Sequence, residues 1–573
     1  MSVYNELRLE QQLCDAVIRV GSTRFPVHKI VLCNCSPYFQ ALFTNWSTQE
    51  RQVFDIPNVS SDVMKIIIEF AYTAFPAVTP ENIQESFIAA HQFNVMGLIQ
   101  ACCSLLEDQL SPQNCIGIWR FTDFYYTPEL THKAFLYTVT HFEEVASTSE
   151  EFPLLSVQEL VKIIENDHLN VKQEKTVFGA ILCWIGYAAQ ERREHISLLL
   201  SNVRLALTSP QFITNSVRNN ELVLASSECH LILSRALEAM HDLNINKLSK
   251  TIYYNRLSCP RLSPTALLSF GGRRGGYSTD VIEAYDTRAD RWVSVSKYGA
   301  YIPRAYHATV FLDGAVYCVG GFDNSEWFSS VYRYDLVTHT WTEVKQMHRS
   351  RCYVSVTVMD GYIYAMGGYN GRHRLKSAER YQPRNNQWTL IPQMHERRSD
   401  ASCTNLRGKV YICGGFNGNN FLSTAECFNP ETNQWTRIAS MDQIRSGVGV
   451  IAYADKVFAV GGYNGISRLN TAEAYNPDTK TWHAVPSMLA CRSNFGIAVI
   501  DDRVFVAGGY SGSSTMFDVE YYDAETSEWS GASSMKVSCS ALSCCVVHGL
   551  PNMVDYSAPR LMQCSDADED KME

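Results

Sequence analysis

A chain of 573 residues, 46% apolar and 12% aromatic, has material for three or four packed domains and is not a disordered protein. Its 59 acidic residues against 49 basic ones leave a net charge of −10, which argues against wholesale attraction to nucleic acid. No apolar run approaches the roughly 20 residues that a membrane span needs, and the opening residues 1–9 are too polar for a signal peptide, so a cytoplasmic protein without membrane association is expected.

In the first 110 residues, Leu13-Cys14-Asp15-Ala16-Val17-Ile18 is followed by Phe25-Pro26-Val27-His28-Lys29-Ile30-Val31-Leu32 and then by Ser36-Pro37-Tyr38-Phe39. These phrases resemble the opening of a BTB/POZ fold, an α/β domain in which a strand hairpin leads into a helix. The resemblance implies that Asp15 and His28 pair, with His28 a structural histidine and no metal required. Residues 111–243 turn helical, with apolar residues three and four apart over 157–165, 172–187 and 191–200. Asn114-Cys115-Ile116-Gly117-Ile118, Leu169-Asn170-Val171 and Val203-Arg204-Leu205 resemble the all-α BACK domain. A polar linker is expected over 244–264.

Beyond it the chain repeats. Six Gly-Gly pairs end at Gly272, Gly321, Gly368, Gly415, Gly462 and Gly509, each followed 20 residues later by Trp292, Trp341, Trp388, Trp435, Trp482 or Trp529. Tyr285, Tyr334, Tyr381, Phe428, Tyr475 and Tyr522 sit 13 residues after the pairs. The period, 49 once and then 47, marks stacked units too small to bury their apolar faces alone. One unit reads as four strands: a run opened by an arginine (398–406), a run ending in the glycines (410–415), a run carrying Glu426 and Phe428, and a run carrying Trp435. The first unit lacks the arginine-led run, and residues 538–547 supply one more run after Trp529, so one sheet is built from both ends. That closes an all-β six-bladed propeller over 265–550 and removes open sheet edges. Residues 551–573 read as a solvated acidic tail.

The repeats resemble Kelch repeats, and the order BTB, BACK, Kelch resembles the Kelch-like adaptor family. The resemblance implies a non-catalytic substrate-recognition subunit of a cullin-3 RING ubiquitin ligase, homodimeric through BTB, without cofactors, that carries an unidentified ubiquitination target. Within the family, the runs 351–358 and 398–402 resemble one member in particular, and that resemblance implies a role in spermatid differentiation. A cytoskeletal, actin-associated scaffold is the alternative, and cullin binding separates the two.

For the cullin contact, the family commonly uses a hydrophobic residue two before a glutamate. Here Thr48 stands there relative to Glu50, so Trp46 is expected to supply the apolar knob, with Leu42 and Phe43 beside it. For the target, related propellers use the residue after each Gly-Gly pair, here Arg273, Phe322, Tyr369, Phe416, Tyr463 and Tyr510, and the two residues after each opening arginine. The second set supplies Tyr306, Tyr353, Ser399, Asp400, Ser446, Ser493, Asn494 and Ser540. Rigid rings with a circle of hydroxyls would suit a peptide loop, while blade packing is the competing reading. Arg304, Arg351, Arg398, Arg445 and Arg492 read as loop braces, a series that Cys539 breaks.

Catalysis finds no support. The propeller histidines show no shared ligand geometry, no phosphate-loop lysine follows the glycines, and the 19 cysteines show no paired metal-ligand spacing.

Overall fold

Period-two alternation sets the first strand: Ala16, Ile18 and Val20 of β1 (Ala16–Val20) are buried and the residues between them are not. It pairs antiparallel with β2 (Thr23–Val27) and parallel with β3 (Val53–Asp55). The computed structural model describes residues 3–44, 52–245, 256–299 and 301–559. Among them the chain forms two compact units, Met1–Glu238 and Ala239–Glu573.

In the first unit, helices α1 (Val3–Leu9), α2 (Lys29–Cys35), α3 (Pro37–Thr44) and α4 (Ser61–Thr73) accompany the small sheet. The expected pairing of Asp15 with His28 does not form. Asp15 accepts the Lys29 backbone N–H at 2.7 Å, while the His28 ring contacts the Tyr72 hydroxyl at 2.8 Å and the Gln12 carbonyl at 3.0 Å. Tyr72, delivered by α4, takes the place expected of the carboxylate. The helical stretch follows, with Val157–Glu165 capped reciprocally by Ser156 and Glu159. The expected helix over 191–200 is broken into Ala189–Arg192, a 3-10 turn Arg193–His195 and Ile196–Leu200.

The second unit is the propeller. Blade one combines Ser543–His548 with Thr265–Phe270, Ile282–Asp286 and Arg291–Ser294, so its innermost strand comes from the far end of the chain. The innermost strands of blades two to six are Ala308–Leu312, Ser355–Met359, Ser402–Leu406, Gly449–Tyr453 and Gly496–Ile500. Each opens a four-stranded antiparallel sheet, and the six inner strands contact one another in a closed cycle.

The repeated residues explain the closure. Five indole N–H groups reach back to a carbonyl of the preceding blade, for instance Trp388 to Lys345 at 2.8 Å. Trp292 of blade one reaches Ser533 at 2.9 Å, which fastens the first blade to the last. The Gly-Gly pairs let one blade's backbone touch the next: Gly367 has φ 64°, and a Cβ there would lie 2.3 Å from the Arg398 carbonyl oxygen.

The opening arginines are structural. Arg351 is fully buried and donates to Glu379 at 3.0 and 2.9 Å and to the Gly367 carbonyl at 2.7 Å. The same buried pair recurs as Arg398–Glu426, Arg445–Glu473 and Arg492–Glu520. Blades one and two each keep one half. Glu283 faces Cys539 rather than an arginine and accepts backbone N–H groups from Lys536 and Val537, and burial raises its carboxyl above the ordinary range. Arg304 meets Tyr332 where the glutamate should be, and lies 4.5, 4.9 and 5.1 Å from the rings of Phe328, Tyr332 and Tyr301.

The packed chain runs past residue 550. Met553, Tyr556 and Ala558 are buried, the Tyr556 hydroxyl donates to the Leu336 carbonyl at 2.6 Å, and the Ala558 N–H reaches Asp286 at 3.0 Å. At the other end, Leu257, Cys259 and Leu262 of the expected linker are buried as well.

Candidate functional site

Of the residues expected to meet the target, Tyr306, Tyr353, Asp400 and Asn494 line the central channel, a space of about 620 Å³ walled by the inner strands, and the others adjoin them through backbone bridges. Within each blade the post-glycine residue pairs with the residue after the opening position: Phe322 with Ala305, Tyr369 with Cys352, Phe416 with Ser399, Tyr463 with Ser446, Tyr510 with Ser493 and Arg273 with Ser540. These bridges set the aromatics above the inner strands.

The next residue along forms a second circle. Tyr306, Tyr353, Asp400, Gly447, Asn494 and Ala541 are all left-handed, with φ between 53° and 62°. Each N–H donates to the carbonyl of its counterpart in the neighbouring blade: Tyr353 to Tyr306 at 2.8 Å, Asp400 to Tyr353 at 3.3 Å, Gly447 to Asp400 at 2.8 Å, Asn494 to Gly447 at 2.9 Å, Ala541 to Asn494 at 2.7 Å and Tyr306 to Ala541 at 2.9 Å. A left-handed conformation costs a non-glycine residue about 1 kcal/mol or more, and the closed hydrogen-bonded circle offsets it.

The side chains of this circle divide the mouth. Tyr306 and Tyr353 stand with ring centroids 4.2 Å apart, and Asn494 donates to Asp400 at 2.9 Å, while Gly447 and Ala541 leave the remaining positions small. Burial raises the Asp400 carboxyl to about 6, opposed by the Asn494 hydrogen bond and by Arg374 and Arg468. Burial, with Asp400 adding to it, also raises the Tyr306 and Tyr353 hydroxyls. His307, just inside, is pushed down to about 3 by burial and by Arg304, which keeps its imidazole neutral.

A third set, not expected from the sequence, lies five residues after each aromatic: Trp327, Arg374, Phe421, Arg468 and Thr515. The first four bridge neighbouring blades. Trp327 lies 5.3 Å from Phe322 and 6.0 Å from Tyr369, and Phe421 lies 4.9 Å from Phe416 and 5.3 Å from Tyr463. Arg374 stacks 4.0 Å over Tyr369 and Arg468 4.0 Å over Tyr463. The result is an alternating belt of rings and guanidinium groups across blades two to six. Their shared phase was legible; their residue types differ, which hid it.

Two expectations are corrected. Ser399, Ser446, Ser493 and Ser540 are buried, since they carry the backbone bridges, so no circle of hydroxyls faces outward. The Tyr369, Tyr463 and Tyr510 hydroxyls instead donate to the carbonyls of Gly371, Gly465 and Gly512 and close their own loops. In the first unit, Phe43 is a core residue, 8% exposed, stacked on Phe39 and edge-on to Phe54 at 4.9 Å. It faces inward and leaves the expected cullin contact, whereas Leu42 is half-buried. Trp46 and Glu50 lie outside the described residues.

Among the described residues no helix is long and apolar enough to cross a membrane. Family models match in the order of the fold: BTB/POZ domain over 4–110, BTB And C-terminal Kelch over 115–218, KLHDC2/KLHL20/DRC7 Kelch-repeats domain over 247–397, and Kelch motif over 397–442, 444–489 and 491–536. The chain is 35% identical over 358 residues to Kelch-like protein 28 of Homo sapiens, covering 61% of this chain and 62% of that protein. It is 34% identical over 327 residues to Kelch-like protein 3 of Bos taurus, covering 56% and 54%. The matched stretch thus spans less than two thirds of these relatives' length. With BTB, BACK and Kelch modules in this order, the chain belongs to the BTB-BACK-Kelch family of Kelch-like proteins.

Proposed function

We propose that the chain is a non-catalytic adaptor of a cullin-3 RING ubiquitin ligase: BTB and BACK hold the cullin, the propeller holds a target, and other subunits transfer ubiquitin by proximity. The observation that carries this reading is the belt from Trp327 to Tyr510, which presents rigid rings and arginines around one channel mouth in a chain whose other half is BTB and BACK. The target surface comprises Arg273, Tyr306, Phe322, Tyr353, Tyr369, Asp400, Phe416, Tyr463, Asn494 and Tyr510, joined by Trp327, Arg374, Phe421 and Arg468. Leu42, Trp46 and Glu50 are the cullin contact. BTB-mediated pairing would present two propellers and raise avidity through effective concentration.

The runs 351–358 and 398–402 resemble kelch-like protein ten, and on that resemblance we place the adaptor in the cytoplasm of differentiating spermatids. Proximity labelling in that tissue tests the reading. Proteins labelled by the intact chain and lost with Tyr369→Ala/Tyr463→Ala are the targets, while cullin-3 labelling persists in both. An unchanged label set in the variant, at an unchanged melting temperature, would contradict the target surface.

A further inference from the structure

Between blades three and four the belt opens into a cleft of about 550 Å³ lined by Tyr369, Arg372, His373, Arg374, Arg397 and Phe416, among others. The Arg374 guanidinium lies 4.0 Å from the Tyr369 ring centroid, 5.4 Å from that of Phe416 and 5.8 Å from that of Tyr353. Its Nη1 is buried and has no hydrogen-bond partner among the described residues. Arg468, at the same phase two blades on, differs: its Nε donates to the Ser493 hydroxyl at 3.1 Å. The counterpart of Ser493 is Ser399, whose hydroxyl donates instead to the Phe416 carbonyl at 3.3 Å and gives Arg374 nothing.

The nearby carboxylates are committed. Glu396 accepts from Arg398 at 3.1 Å and from Thr424, and Asp400 accepts from Asn494. Arg372, Arg374 and Arg397 therefore leave the cleft with excess positive charge. A buried guanidinium N–H without an acceptor is costly, and an oxyanion at this point removes the cost. The flanking rings already hold the planar fork, so little rotamer freedom is lost when it engages.

We propose that this cleft receives an oxyanion carried on a loop of the target protein, a side-chain carboxylate or a phosphoryl group, with Arg374 as the bidentate donor and Arg397 and Arg372 supplying the surrounding charge. The proposal rests on the target-surface reading above and gives that surface its chemical preference.

Oriented peptide pools fixed at one position as phosphoserine, glutamate or serine, captured by the full-length chain, test it. The phosphoserine or the glutamate pool should be retained about tenfold or more over the serine pool, the value expected for a charge-assisted bidentate pair, and whichever is retained identifies the source of the anion. Arg374→Gln should abolish the preference, Arg374→Lys should keep only part of it, and Arg468→Gln should leave it intact. Should Arg374→Gln melt lower, the exposed Arg397→Gln provides the second variant and should weaken the preference at an unchanged melting temperature. Equal retention of the three pools, retention of none, or a preference untouched by both Arg374→Gln and Arg397→Gln overturns the proposal. Equal retention that is lost in Tyr369→Ala/Tyr463→Ala would remove the anion while leaving the target surface standing.

Discussion

Asn494 donates to Asp400 at 2.9 Å from two blades away, passing over Gly447, where a Cβ would lie 2.7 Å from the Asn494 Oδ1. The absent side chain of blade five is what lets blades four and six join at the channel mouth. Gly447→Ala would place a methyl group in that path.

The pair makes the mouth pH-sensitive. Burial raises the Asp400 carboxyl from an ordinary 3.8 to about 6, so between these values the folded chain keeps a proton that the unfolded chain has released. The site's contribution to stability therefore falls as pH rises through that window. Asp400→Asn retains an acceptor for Asn494 without the charge. It should melt above the unmutated chain at pH 7, and the gap should close below about pH 4, where both forms are neutral. A gap that is the same at both ends of the range would show that Asp400 does not titrate as described.

The buried arginine–glutamate pairs give a contrast within one molecule. Glu473→Gln leaves Arg445 buried without its counter-charge and should cost about 3–5 kcal/mol. Glu283→Gln removes a carboxylate that faces Cys539 and is disfavoured by burial, and should change stability by less than about 1 kcal/mol. Denaturant titrations followed by tryptophan fluorescence measure both. Equal losses would mean that the pairs do not act as described.

The C-terminal segment gives a third outcome. Ending the chain after Pro559 should leave the melting temperature unchanged. Ending it after Leu550 removes Met553, Tyr556 and Ala558 and exposes the wall they cover, a loss of about 3 kcal/mol or more by analogy with large-to-small core changes. Ending it before Ser538 removes the inner strand of blade one, and the propeller should aggregate. Identical melting of the first two truncations would show that residues 551–559 carry no load.

Much of this was legible in the sequence. The spacing of glycines, aromatics and tryptophans gave six blades, and the absent first run together with the extra run after Trp529 gave the shared blade. What escaped was whatever lacks a repeated residue type. Trp327, Arg374, Phe421 and Arg468 occupy one phase with three chemistries. The serines after the arginines looked available because a sequence does not reveal that backbone bridges bury them. Phe43 looked like surface because an eight-residue helix is too short for its buried face to be read from periodicity. Residues 551–559 have no period at all, and their acidic sequel suggested a tail throughout.

In the proposed function the chain couples a cullin to a target held elsewhere on the same molecule. Calorimetric titration of the full-length chain with purified cullin-3 tests it most directly. Binding should saturate at one cullin per chain, survive Tyr369→Ala/Tyr463→Ala and be lost with Trp46→Ala/Glu50→Ala at an unchanged melting temperature. Absence of heat on titrating the intact chain, with both proteins folded, would contradict it.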